Sequence, residues 1–387
     1  MTEERTLDLI CMGRTCVDLY GEQEGSRLED VQFFRKYVGG SSTNVAVGTA
    51  RLGVNVAMLS RVGDEQMGRF VRRTLAGAGV DVGHLKTDPD RLTPYCLLAV
   101  REVDDFPRIF VYEDSADMAI DEDDVDPDFI ASSKALLVSG THFSRASSAA
   151  ATLRAIEAAK DAGTKIVLDI DYRPTFWDKA LLEKDVSTSA ASNASRAHQS
   201  VIGYCDLIVG TEEEVRIAGG SSDTGEALRK IRSLSGATIV LKTGAMGATV
   251  FGGEISDDLE SGLRIPGYPV DVFNSTGAGD AFMSGFLRRW LDDEPLESCG
   301  ELANACAALV VSRGTGLRLP AGLHRGRIAR RNRELWRWGH GIGTQGSPRG
   351  LCNAGLRPLL PERFDRTRAG LEGEVGPGLR VAAGVSA

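Results

Sequence analysis

The sequence predicts a single α/β domain built on a mainly parallel sheet flanked by helices, with a small β lid. Short apolar runs alternate with helical patterns of a length that suits βαβ units. Polar residues and glycine-rich turns stand where those runs end, and ligands of parallel sheets collect at the carboxyl ends of the strands. At 387 residues, 42% of them hydrophobic, the chain is long enough to bury one large core with a small appendage.

The first strand is expected at Asp8 to Met12, entering Gly13, with Asp18 five residues beyond that glycine. Val54 to Leu59 reads as the next, ending in the polar turn Arg61-Val62-Gly63-Asp64. Met67 to Leu75 follows as an amphipathic helix stopped near Gly77 and Gly79. Further strands are expected at Ala135 to Val138, Lys165 to Leu168, Leu207 to Val209 and Thr238 to Leu241, separated by helices such as Ser147 to Ala162 and Thr224 to Leu234. Two stretches break this rhythm: Leu19 to Tyr37, and Thr93 to Tyr112 with apolar positions at Cys96, Leu98 and Val100 and then at Ile109 and Val111. They read as strands of a separate sheet, within about 14–38 and 92–118, that covers the site.

After Arg313 the composition changes. Residues 314–387 hold 13 arginines, no lysine and five acidic residues, without helical or strand period, and read as a poorly ordered tail appended to a 1–313 catalytic domain. A nucleic-acid arm is the alternative, supported only by Trp336 and Trp338. The formal net charge of −9 gives no reason to expect nucleic acid or an anionic membrane as partner. No apolar run has the length of a membrane span, and Glu3, Glu4, Arg5 and Asp8 at the N-terminus do not suit a signal peptide. Seven scattered cysteines without a CxxC pair suggest neither a disulfide framework nor zinc, so a cytoplasmic location is expected.

The segment Asn274-Ser275-Thr276-Gly277-Ala278-Gly279-Asp280 leads into an apolar helical run. Small residues before a helix let backbone N–H groups converge on an anion, and the helix N-terminus adds favourable electrostatics. An aspartate at the mouth of such a cradle can take the proton of an attacking hydroxyl while the amides stabilise a transferring phosphoryl group. The same pattern also fits a glycine turn with Asp280 as an ordinary N-cap. No lysine-rich cradle is visible near Gly277. A second segment, Gly39-Gly40-Ser41-Ser42-Thr43-Asn44, enters a helix to about Gly53; Asn44 can both donate and accept, and the paired glycines suit a hinge.

Together these segments resemble the two signatures of the ribokinase-like, or PfkB, family of sugar kinases, at Gly39 to Gly53 and at Asn274 to Gly285 with its GAGD run. The resemblance implies ATP and Mg2+ as cofactors, and a monovalent cation such as K+. It implies Asp280 as catalytic base and the amides of Gly277, Ala278 and Gly279 as anion hole. Asp18, Gly40 and Asn44 would contact substrate hydroxyls. Thr211, Lys242, Thr243, Gly244, Gly247 and Asn304 would lie on the nucleotide side. Thr211 to Glu214 is similar to the family's NxxE motif, in which Glu214 would help to place Mg2+; threonine replaces the usual asparagine, and acids at a helix start also suit its dipole. The phrase Asp169-Ile170-Asp171-Tyr172-Arg173-Pro174 resembles kinases of keto-deoxy sugar acids. Proline keeps Arg173 extended at a strand end, where its guanidinium could pair with a carboxylate. A solvent-facing arginine beside Trp177 is the alternative. Longer phrases resemble a kinase of inositol breakdown acting on a 6-hydroxyl. Where such relatives carry a lid arginine, this chain has Val111-Tyr112-Glu113-Asp114, so that basic contact is expected to be missing. The expected partner is a small sugar acid, with a homo-oligomer as the assembly. The runner-up functions are 2-keto-3-deoxygluconate kinase, fructokinase or ribokinase activity, or a sensor with impaired turnover.

Overall fold

A computed structural model describes residues 5–23, 25–99, 107–177 and 188–312. The arginine-rich segment 314–387, with Trp336 and Trp338, lies outside these residues, as do Val100 and Arg313.

The chain opens with β1 (Leu7–Met12), then β2 (Cys16–Gly21) and β3 (Phe34–Gly39). Helix α1 (Ser41–Arg51) returns to β4 (Val56–Gly63), and α2 (Gln66–Gly77) to β5 (Leu85–Asp88). Strands β6 (Tyr95–Leu98) and β7 (Arg108–Val111) follow, then α3 (Pro127–Ala131), β8 (Ser133–Ser139), α4 (Ala146–Ala162) and β9 (Lys165–Asp169). Next come α5 (Pro174–Trp177), α6 (Thr188–Ile202), β10 (Leu207–Thr211), α7 (Glu212–Gly219), α8 (Thr224–Leu234) and β11 (Thr238–Lys242). Strands β12 (Gly247–Phe251) and β13 (Leu263–Pro266) and helices α9 (Ala278–Trp290) and α10 (Leu296–Val311) complete the described chain.

Nine strands form one sheet in the order β13-β12-β11-β10-β9-β8-β1-β4-β5. From β11 to β5 all neighbours are parallel; β12 and β13 add an antiparallel edge. Its central strands are apolar on both faces because helices cover both. On one face Ile10, Met12, Leu136, Leu168 and Ile208 pack with residues of α3, α4, α6, α7 and α8. On the other, Leu9, Cys11, Leu137, Val167 and Val209 pack with α1, α2, α9 and α10. The period-2 alternation of each strand thus divides the core in two.

Strand β4 continues through Arg61-Val62-Gly63, which sequence alone marks as a turn. The extension holds because Arg61 is held by carboxylates: Asp124 at 2.6 Å, Asp121 at 2.7 Å and Asp88 at 3.6 Å. A paired arginine can stay in a strand that composition would end.

The remaining four strands form a second sheet, β3-β2-β6-β7. Cys16 and Asp18, Cys96 and Leu98, and Arg108 and Phe110 share its inner face and line one cavity. Cys96 and Leu98 are buried, as their alternation suggests, but Ile109 and Val111 are 55% and 40% exposed. Phe110 is the residue of β7 that packs on Tyr20, Cys96 and Leu98. Three consecutive apolar residues in β7 leave its inward face undetermined until it pairs with β6, and that register puts Phe110 beside Cys96.

Helices α9 and α10 approach closely at Gly285, where an added Cβ would lie 2.7 Å from the Leu302 carbonyl and 2.8 Å from Ala303 Cα. These neighbours are backbone and cannot rotate away. Gly285→Ala is expected to destabilise the fold by about 1–3 kcal/mol, as overpacking does. The measurement is the urea midpoint, and a midpoint equal to wild type would show that α10 yields freely.

Candidate active site

A cavity of about 320 Å³ opens where the carboxyl ends of the main sheet's strands face the inner side of the small sheet. Arg14 follows β1, Thr141 follows β8, Asp171 and Arg173 follow β9, Glu214 follows β10, and Lys242 ends β11. The start of α9 supplies Ser275, Thr276, Gly277, Gly279 and Asp280.

Helix α9 begins at Ala278, and its N-cap is Gly277 with φ 80° and no side-chain cap. The positive φ is one that glycine adopts without strain. Asp280 therefore sits inside the first turn, and the ordinary N-cap reading fails. The Ala278 N–H donates to the Ser275 carbonyl at 3.2 Å, so this turn uses one of the three amides expected to face an anion. Gly277 and Gly279 line the cavity. Lys242 reaches this loop from β11: a Cβ on Gly279 would lie 3.5 Å from its Nζ. A cation absent from the local sequence thus completes the cradle.

Asn44 Nδ2 donates to Asp280 Oδ2 at 2.8 Å, joining α1 to α9. Ser41 at the start of α1 donates to Asp171 Oδ2 at 2.7 Å. Gly40, with φ 96°, lets the chain enter α1 where a Cβ would meet the Arg14 carbonyl, and a Cβ on Gly39 would meet the Asp18 carboxylate. The paired glycines serve this close approach. Asp18 is beside Cys16, whose thiol lies 3.6 Å from Oδ1.

Charged side chains crowd the other wall, the acids buried and Arg173 half exposed. Asp171 takes a positive φ of 36° and accepts from Ser41, Ser139 at 3.0 Å and Arg173 Nη2 at 2.9 Å. Arg173 Nη1 lies 3.9 Å from Glu214, and Lys242 Nζ lies 3.7 Å from Glu214 and 4.0 Å from Asp169. Thr211 caps α7 with a reciprocal box: its N–H donates to Glu214 at 2.7 Å and its hydroxyl accepts from the Glu214 N–H at 3.3 Å. Threonine therefore does the capping that an asparagine would do here.

Burial raises the Asp280 carboxyl to about 6; Asp171 adds to the shift, while the Asn44 hydrogen bond, Arg173 and Lys242 oppose it. Asp18 is also raised to about 6 by burial, against Cys16, Arg14 and Arg108. Burial pushes Asp169 well up, only partly relieved by Lys242. Glu214 feels the same burial, but Lys242, Arg173 and Thr211 outweigh it and hold its carboxyl low. Lys242 keeps its proton because Glu214, Asp169 and Asp280 more than offset its burial. The site therefore holds a carboxyl raised to about 6, Asp280, at a helix N-terminus with a lysine and an arginine nearby, an arrangement able to support proton abstraction coupled to phosphoryl transfer.

Among the described residues no cluster of three or more His, Cys, Asp or Glu could hold a metal by itself. Mg2+ that travels with nucleotide rests on phosphate oxygens with one or two carboxylates, which the ionised Glu214 fits.

Of the other residues expected on the nucleotide side, Thr211 and Lys242 line the cavity. Thr243, Gly244 and Gly247 form the turn from β11 to β12, where the Thr243 hydroxyl donates to the Gly247 carbonyl at 3.1 Å, and are not in its wall. Asn304 is buried and donates to the Ile265 and Pro266 carbonyls, both at 3.0 Å, tying α10 to β13. Sequence reasoning missed Arg14 and Arg108. The lid, expected to lack a basic contact, carries Arg108 in the cavity wall, at the start of β7 and three residues before Val111. Charge type at a strand position could have revealed it; strand register, which decides its face, could not.

The pfkB carbohydrate kinase family model matches residues 6–320. The chain belongs to this family. It is an ATP-dependent carbohydrate kinase. The match runs past Arg313, where sequence reading alone ends the resemblance. The chain is 31% identical over 317 residues to a 5-dehydro-2-deoxygluconokinase from Geobacillus kaustophilus, covering 80% of this chain and 89% of that one. A protein of the same name from Shouchella clausii is 32% identical over 320 residues, covering 80% and 91%. Among solved structures, a PfkB protein from Polaromonas sp. JS666 superposes with a TM-score of 0.67 at 27% identity over 80% of this chain and 97% of that one. A ribokinase II of E. coli in complex with ATP and Mg2+, at 20% identity and a TM-score of 0.69 over 79% of this chain and 93% of that one, shares the fold. Among the described residues, no helix of this kinase is long and apolar enough to cross a membrane.

Because the Asn44 hydrogen bond favours the ionised form of Asp280, Asn44→Ala should raise the Asp280 pKa. The acid limb of kcat/KM, expected near pH 6 in wild type, should then move to higher pH. A pH profile that loses height but keeps its limb would assign that limb to Asp18.

Proposed function

We propose that this kinase transfers the γ-phosphoryl group of ATP to the 6-hydroxyl of 5-dehydro-2-deoxygluconate, a keto-deoxy sugar acid of inositol breakdown, with Asp280 as the base. The observation that carries the reading is the position of Asp280: half-buried, held by Asn44, in the first turn of α9 and in a cavity whose wall also carries Arg14, Arg108 and Arg173. A cavity that holds Asp280 together with three guanidinium groups suits a substrate with a hydroxyl at one end and a carboxylate at the other. The two relatives above, of 31% and 32% identity, support the same substrate.

The hydroxyl donates to Asp280 as its oxygen attacks the phosphoryl group. Charge gathering on the transferred group is met by the Gly277 and Gly279 amides, the N-terminus of α9, Lys242 and Arg173. Asp18 and Gly40 border the substrate side, and Asn44 orients the base. Mg2+ would neutralise the nucleotide's β- and γ-phosphates, with Glu214 contributing through its water shell. The family resemblance also supports activation by a monovalent cation, K+, and a homo-oligomer in the cytoplasm.

The test is phosphorylation of a panel holding 5-dehydro-2-deoxygluconate, 2-keto-3-deoxygluconate, fructose and ribose. The first should have the highest kcat/KM, and a preference for fructose or ribose would overturn the sugar-acid assignment. On the preferred substrate Asp280→Asn should cut kcat by about 10² to 10⁴-fold while nucleotide binding persists; near wild-type turnover would remove Asp280 from the chemistry. EDTA should abolish turnover and Mg2+ restore it, whereas full activity in metal-free buffer would contradict the ion's role.

A further inference from the structure

Arg14 is the most enclosed of the three cavity arginines, with a side chain 7% exposed. Its Nε donates to Asp117 Oδ2 at 2.7 Å, and its guanidinium carbon stands 4.2 Å from the Phe176 ring centroid and 5.7 Å from that of Tyr112. Asp117 is itself fixed, accepting from the Thr15 N–H at 3.3 Å and the Ser115 hydroxyl at 2.6 Å. One edge of a planar fork is thus tied and its plane is set by an aromatic face. Among the described residues its two terminal nitrogens make no hydrogen bond, Asp117 is the acid it pairs with, and the side chain lines the cavity.

Arg173 is differently placed. Both of its terminal nitrogens face acids, Asp171 at 2.9 Å and Glu214 at 3.9 Å, and its charge is one of those acting on Asp280. It belongs to the reacting end of the cavity, with Lys242 and the α9 turn. Arg14 acts instead on Asp18. In an acid phosphorylated on the hydroxyl farthest from its carboxylate, the two groups cannot both lie beside Asp280.

We propose that Arg14, and not Arg173, pairs with the carboxylate of the substrate and so selects acids over neutral sugars. This rests on the sugar-acid reading given above. Substrate lies along the cavity with its hydroxyl at Asp280 and its carboxylate at the free edge of the Arg14 fork, where a rigid guanidinium makes two parallel hydrogen bonds. Arg173 then stabilises the transferring phosphoryl charge and serves any substrate alike.

The experiment compares kcat/KM for 5-dehydro-2-deoxygluconate and for its C1 amide, which keeps the chain and loses the charge. The proteins are wild type, Arg14→Lys, the pair Arg14→Gln with Asp117→Asn, and Arg173→Lys. The lysine keeps a cation against Asp117 but lacks the fork; the neutral pair leaves no unpaired buried charge, so loss of folding is not what is read. Both Arg14 changes should lower kcat/KM on the acid by roughly 10 to 100-fold and leave the amide little changed. Arg173→Lys should lower both substrates by the same factor. Equal losses on acid and amide in the Arg14 variants, or an acid-selective loss confined to Arg173, would overturn the assignment. A wild type that prefers fructose or ribose would remove the sugar-acid reading and this one with it, and that outcome is read without any variant.

Discussion

The 2.8 Å hydrogen bond between Asn44 and Asp280 joins two helix starts 236 residues apart in the chain, and the arrangement of the cavity depends on it. Helix α1 can bring Asn44 to that distance only because Gly39 and Gly40 let the chain pass against Asp18 and the Arg14 carbonyl. Helix α9 can present Asp280 only because Gly277 takes a left-handed turn ahead of it. The two helices pack on one face of the sheet through Val45, Ala46, Phe282 and Met283. A displacement of either would carry Asp280 away from Asn44.

The second constraint is charge. Asp169, Asp171, Glu214 and Asp280 converge on Lys242 and the half-exposed Arg173. Desolvation is the main cause of the raised Asp169 and Asp280, and the neighbouring carboxylates add to it while Lys242 opposes it. The Asp171 carboxylate, on a residue of positive φ, is surrounded by the Ser41 and Ser139 hydroxyls and the Arg173 guanidinium.

The small sheet divides the cavity's work. Its inner face supplies Asp18 and Arg108, while the main sheet supplies the phosphoryl-side lysine and acids. The cavity lining thus comes from both sheets, which are joined at the segment from Gly13 to Thr15 and at α1.

The alternation of apolar runs and helical periods was enough to place the central strands and the parallel sheet, because strands buried on both faces carry that signal locally. The two glycine-rich helix starts were legible too, since a chain that must approach another backbone requires glycine there whatever surrounds it. Register and pairing were not local. Arg61 stays in β4 because of carboxylates from elsewhere in the chain, Phe110 faces inward because β7 pairs with β6 as it does, and Arg108 reaches the cavity by the same pairing. The partner of each buried charge was equally hidden: Lys242 joins Gly279, and Arg14 joins Asp117, through contacts between segments far apart in sequence. The sequence by itself determined the family and the sheet. Only the tertiary structure decided which arginine faces the cavity with a free edge, because that depends on which acids the fold brings to the others.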